Sequence, residues 1–122
     1  CVIFVFDEKE NYFELLASDG LSSKTQNQLS ILSPKNCILI EKVIQEKKTF
    51  TAPEMQFSGG CLNLFSGIES FFSPLLFWNG KMRGMLFFGF FQKKKMEKVQ
   101  QELCEFYAVE ASLGLFGEEN GN

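Results

Sequence analysis

The residues able to do chemistry are few in this chain, and one type is missing altogether: among its 122 residues there is no histidine. That removes any Ser-His or Cys-His catalytic pair, any His-ligated haem or zinc, and any phospho-accepting histidine. The four cysteines, Cys1, Cys37, Cys61 and Cys104, stand far apart and form no CxxC pair. Neither a zinc site nor a dithiol redox motif is indicated. Cys37 and Cys104 fall on predicted helices among apolar neighbours, where a free cysteine behaves as a small core residue. Paired carboxylates occur at Asp7-Glu8 and Glu118-Glu119, in polar stretches expected to be solvated surface and not acid–base dyads. With no nucleophile beside a base, the segment is not expected to be an enzyme.

Composition narrows the partners. The net charge is −3 and the pI about 5.0, and Lys93-Lys94-Lys95 is the only basic cluster, so nucleic acid is not an expected partner. The longest apolar run, 84–91, is far too short to span a bilayer, so no membrane insertion is expected. Cysteines without a pairing pattern suit a reducing compartment, and the expected localisation is cytoplasmic. Fifteen Phe against two Tyr and one Trp predict a core built from rings that need no hydrogen-bond partner.

The elements that must position these side chains centre on residues 71–91, FFSPLLFWNGKMRGMLFFGFF. Asn79-Gly80 supplies the two positive-φ positions of a type I′ turn, which predicts paired strands at 71–78 and 82–91. A two-residue turn sets Trp78 opposite Lys81, Phe77 opposite Met82 and Phe72 opposite Phe87. Both faces are then apolar, which argues for cover on both sides. Only Trp78, Lys81 and Arg83, near the turn, are expected to be solvated on the second face.

Earlier in the chain, 1–6 is a β-branched and aromatic run, followed by the polar 7–11 and a second run over 12–17, and together these predict a first hairpin. The polar segment 21–30 is loop or short helix. Ser33-Pro34 resembles an N-cap with proline at the first helical position and predicts a helix over about 35–47. Residues 49–52 return to strand propensity before Pro53. The connection 53–70 is too apolar to lie in solvent and is expected to cover one face of the sheet, with a short helix near 60–66. Residues 96–116 predict the longest helix, with Gly117 as its stop. One domain, 1–117, with a frayed tail at 118–122, is expected. Because the chain opens directly on a strand, a preceding segment is expected too.

This order of elements resembles the GAF domain. The likeness rests on Phe4-Val5-Phe6-Asp7 leading into Phe13-Glu14-Leu15-Leu16-Ala17-Ser18-Asp19-Gly20, on Glu69-Ser70-Phe71-Phe72-Ser73-Pro74-Leu75, and on Asn79-Gly80-Lys81-Met82-Arg83-Gly84-Met85-Leu86. Each motif encodes folding more than chemistry; their order and spacing, over almost the whole chain, make the match specific. The related PAS fold shares the topology, and the 70–75 strand favours GAF. The resemblance implies an α+β fold: a central antiparallel sheet of five to six strands, helices on one face and a covering loop or short helix on the other. It implies strand 82–91 in the middle beside strand 2–6, and an intracellular signalling protein with an attached output domain. The bilin signatures Cys-His and Asp-Ile-Pro are absent, haem-binding members need histidine, and no cyclic-nucleotide motif of the Asn-Lys-x-x-x-Asp-Glu type is present. Haem and bilin are therefore not expected.

Two readings of function follow. In the first, a small ligand lies between the sheet and segment 50–70, against Phe50, Phe57, Cys61, Phe65, Phe72, Ser73, Met85 and Phe87, and its occupancy is relayed through the C-terminal helix. Between Phe50 and Phe77 there is no Lys or Arg, and only Glu54 and Glu69 are charged, so an uncharged or aromatic ligand fits best. No basic residue near Cys61 in sequence would lower its thiol pKa. In the second, those aromatics fill the core. The domain is then a dimerisation or protein-interaction module, whose terminal helices associate through Met96, Val99, Leu103, Phe106 and Leu113, a three-four spacing broken by Glu110.

Overall fold

The computed structural model describes residues 1–35, 38–47, 50–51, 70–90 and 97–117. Among them the two apolar runs at the start pair as a hairpin of β1 (Val2–Asp7) and β2 (Tyr12–Ser18). Its turn closes through Asp7, whose carbonyl accepts the Asn11 N–H at 2.8 Å and whose carboxylate accepts the Glu10 N–H at 3.1 Å. Asn11 takes φ 60°, a conformation asparagine tolerates better than most residues. Pairing jumps from Ile3↔Ala17 to Phe4↔Leu15, so Leu16 is the extra residue of a bulge. That explains why a leucine is half exposed there.

The ambiguous polar segment contains a short helix, α1 (Ser23–Gln28), started by the Ser22 hydroxyl accepting the Thr25 N–H at 3.2 Å. Strand β3 (Ile31–Leu32) follows it and pairs with β2. Helix α2 (Ile38–Glu46) ends at Lys47, which has φ 52° and donates its N–H to the Val43 carbonyl at 2.9 Å. Among its described side chains, Ile40 and Val43, three residues apart, are buried. Then come β4 (Phe50–Thr51), β5 (Ser70–Ser73), β6 (Leu75–Trp78), β7 (Lys81–Phe90) and α3 (Lys98–Phe116). The start of α3 is closed by the Glu97 N–H donating to Gln100 Oε1 at 3.0 Å. Gly117 has φ −62° relayed as a right-handed cap, so it does not provide the left-handed stop that glycine often supplies.

The strands order as β3-β2-β1-β7-β5-β4, with β6 also on β7, and all pairings are antiparallel. Because β5 and β6 are two halves of one strand interrupted at Pro74, the sheet has six strand positions. As expected, β7 is central and lies beside β1. The Asn79-Gly80 turn forms as expected, with φ 54° and 77°, and sets Trp78 on Lys81 and Phe77 on Met82.

Beyond that point the expected register fails. Leu76 pairs with Gly84 and Phe72 with Phe88, one residue from the pairing the turn alone predicts. Arg83 is the extra residue of a bulge, and it reverses the alternation of β7. One face of the hairpin now carries Phe71, Leu75, Met82, Met85 and Phe87, in a core with Val2, Phe4, Phe13, Leu32, Ile40 and Val43. The opposite face carries Leu76, Leu86 and Phe88, which pack with Ala108 and Phe116 of α3. Trp78 packs there as well, and the Arg83 guanidinium lies 4.4 Å from the Phe116 ring centroid. These two were expected to face solvent; α3 reaches far enough towards the turn to cover them.

Candidate functional site

The best-defined polar feature of the sheet interior begins with proline. Leu86 donates its N–H to the Pro74 carbonyl at 2.9 Å, the bonding of an antiparallel pair in which residue 74 should return an N–H to the Leu86 carbonyl. Proline has no N–H to give. The Ser73 hydroxyl donates to that carbonyl instead, at 2.8 Å, and its oxygen lies 3.6 Å from Met85 Sδ. Ser73 is buried, so this bond satisfies an acceptor that water cannot reach. The hydroxyl expected to meet a ligand thus has an intramolecular partner.

Around Ser73 the register assembles part of the expected ligand-binding set. Met85 and Phe87 share its face, with Phe71 stacked on Phe87 at a centroid distance of 5.4 Å. Phe72 pairs with Phe88, on the face opposite Met85 and Phe87, because the bulge at Arg83 shifts the pairing by one. For Phe50 the described feature is its pairing with Ser73, which brings β4 alongside the site. Phe57, Cys61 and Phe65, like the expected helix near 60–66, lie outside the described residues, as does Cys37. Cys104 is buried, as expected of a core thiol. Among the described residues no group of histidine, cysteine, aspartate or glutamate could hold a metal ion, and no helix is long and apolar enough to cross a membrane.

Helix α3 presents two unlike surfaces. Cys104, Ala108, Ser112 and Phe116, four residues apart, are buried. The expected seam residues Val99, Leu103, Phe106 and Leu113 lie on the other side and are 72%, 50%, 57% and 55% exposed. Met96 lies outside the described residues. Tyr107 and Val109, at least half exposed, flank the seam, and Val109 was missed because a heptad template selects only two positions in seven. Arg83 was missed too; Gly84 beside it is the available signal. A Cβ on Gly84 would meet the Phe4 carbonyl oxygen, and would lie 3.2 Å from Leu76 Cδ1. Only glycine allows β1 and the bulged β7 to approach this closely.

No protein-family model matches the chain, and no curated protein matches it. Solved structures do. A GAF domain/HD domain protein from Geobacter sulfurreducens aligns with TM-score 0.78 and 12% identity, over 97% of this chain and 80% of that one. The GAF domain from the Acinetobacter phosphoenolpyruvate-protein phosphotransferase aligns with TM-score 0.75 and 17% identity, over 99% of this chain and 72% of that one. The GAF domain from a phosphoenolpyruvate-protein phosphotransferase of Coxiella burnetii gives TM-score 0.75 and 17% identity, over 100% and 75%. The fold is that of a GAF domain, as the order of strand motifs led us to expect.

Proposed function

We propose that this chain is a regulatory, non-catalytic sensor domain of a signalling protein. It binds a small uncharged or aromatic ligand between the sheet and segment 50–70, and occupancy is relayed through α3 to an attached output. The supporting observation is that one pair of strands serves both sides: β6 and β7 offer Leu75, Met85 and Phe87 to the ligand side, while Leu76, Leu86 and Phe88 support α3. A ligand with different affinity for two arrangements of these strands shifts the helix with them. The solved neighbours include a GAF domain/HD domain protein and phosphotransferase GAF domains, which supports an attached output. Native mass spectrometry of protein purified from cells tests this. An excess mass of a few hundred daltons, lost on denaturation, is the expected result, and a bare chain mass with no thermal shift across a panel of aromatic metabolites would count against it.

The exposed seam of α3 favours a second reading alongside the first. Val99, Leu103, Phe106 and Leu113 have the four-three spacing that meshes with another helix of the same pattern, and the partner proposed is a second copy of the chain. Sedimentation velocity tests this: the expected species is a dimer that Leu103→Glu dissociates, and a monomer at high micromolar concentration would refute it.

A further inference from the structure

A cleft of about 380 Å³ opens at the turn end of the sheet, lined by Phe6, Ile44 and Met82 together with Glu8, Asn11, Gly80, Lys47 and Lys81. Its size falls at the lower end of the range for small-molecule sites. Its floor residue Met82 stands three residues before Met85 on β7, so the cleft lies about 10 Å from the Ser73 region at about 3.3 Å per residue. The floor is apolar and at least partly buried, whereas Glu8, Asn11, Lys47 and Lys81 on the rim are exposed.

The rim holds both signs of charge, and among the described residues neither is neutralised. Among the described residues no ion pair or side-chain hydrogen bond engages Glu8, Lys47 or Lys81. Two uncommitted ammonium groups and one carboxylate over an apolar floor match a ligand with a carboxylate, an ammonium and an apolar tail. A plain anion would leave Glu8 opposed, close to the other carboxylates of the β1–β2 turn, and a plain cation would meet Lys47 and Lys81. Asn11, Lys47 and Asn79, the non-glycine residues with positive φ among those described, all lie in or next to the lining.

We propose that this cleft binds a small zwitterion with an apolar side chain, of the free α-amino acid type. Its carboxylate faces Lys47 and Lys81, its ammonium faces Glu8, and its side chain lies on Phe6, Ile44 and Met82. The site is independent of the ligand proposed beneath segment 50–70.

Isothermal titration calorimetry with three probes of one tail length tests this: L-norleucine, hexanoate and pentylamine. The expected result is saturable one-to-one binding of norleucine at least tenfold tighter than either singly charged probe. Glu8→Gln and Lys47→Gln/Lys81→Gln should each weaken norleucine at least tenfold, while Lys24→Gln, on α1, changes nothing. Unchanged melting temperatures establish that these surface variants fold. Absence of norleucine binding, equal binding of hexanoate or pentylamine, or full binding by the charge variants would overturn the assignment.

Discussion

The two long surfaces of α3 invert the usual arrangement of an amphipathic helix. Towards the sheet it sets mostly small residues, Cys104, Ala108 and Ser112, with one large ring, Phe116, at its end. Towards solvent it sets Val99, Leu103, Phe106, Val109 and Leu113, all at least half exposed. Small residues let the helix axis approach the sheet closely, so Leu76, Leu86 and Phe88 of the strands supply most of the apolar bulk at that contact. The inner surface therefore determines how closely the helix sits, and the outer surface holds apolar area that folding of the described residues leaves uncovered. Fit and association have been assigned to opposite sides of one helix.

The sharpest way to break this division is to enlarge the inner side. Ala108→Leu adds volume where the helix meets Leu76 and Leu86, and is expected to lower unfolding free energy by about 1–3 kcal/mol, measured by urea denaturation. Slightly less is expected from Ser73→Ala, which leaves the Leu86 carbonyl buried without its donor while the Leu86 side chain still supports α3. About 1–2 kcal/mol should be lost, and an unchanged denaturation midpoint would mean that another donor replaces the hydroxyl. Arg83→Met keeps an unbranched stem but removes the charge above Phe116, near the C-terminal end of α3 where a cation is also favoured by the helix dipole. The expected loss is about 0.5–1 kcal/mol, with Arg83→Lys recovering part of it in the same melts.

What was legible in the sequence follows how local each signal is. Asn79-Gly80 announces its own turn because both residues tolerate positive φ, and the apolar, aromatic-rich runs of β1 and β2 announce a hairpin because the polar 7–11 separates them. Strand β3 could not be read, since two residues after a polar stretch become a strand only through β2; the Leu15 N–H donates to the Ser30 carbonyl at 2.9 Å just beside it. The site was half legible for a similar reason. Ser73, Met85 and Phe87 were named, but the face of each depended on a bulge at Arg83 that nothing in residues 71–78 foretells. Pro74 does declare a missing donor, so the Ser73–Leu86 bond was in principle readable once proline was placed opposite a strand residue.

The smallest effect on folding, and the most informative, is expected on the outer side of α3. Phe106→Gln combined with Leu113→Gln removes apolar area from positions more than half exposed in the single chain, so its unfolding free energy should move by no more than about 0.5 kcal/mol. If the outer surface serves a second copy, sedimentation should nevertheless show the dimer weakened at least tenfold. Glu110→Leu sharpens the point in the other direction. Glu110 interrupts the seam between Phe106 and Leu113, and replacing it completes the four-three repeat, so association should strengthen while the monomer's stability again stays within that margin. A double Gln variant that unfolds the chain, or a Glu110→Leu variant that associates no better than the parent, would mean that the outer side contributes to the fold itself and that the two surfaces of the helix are not divided as drawn.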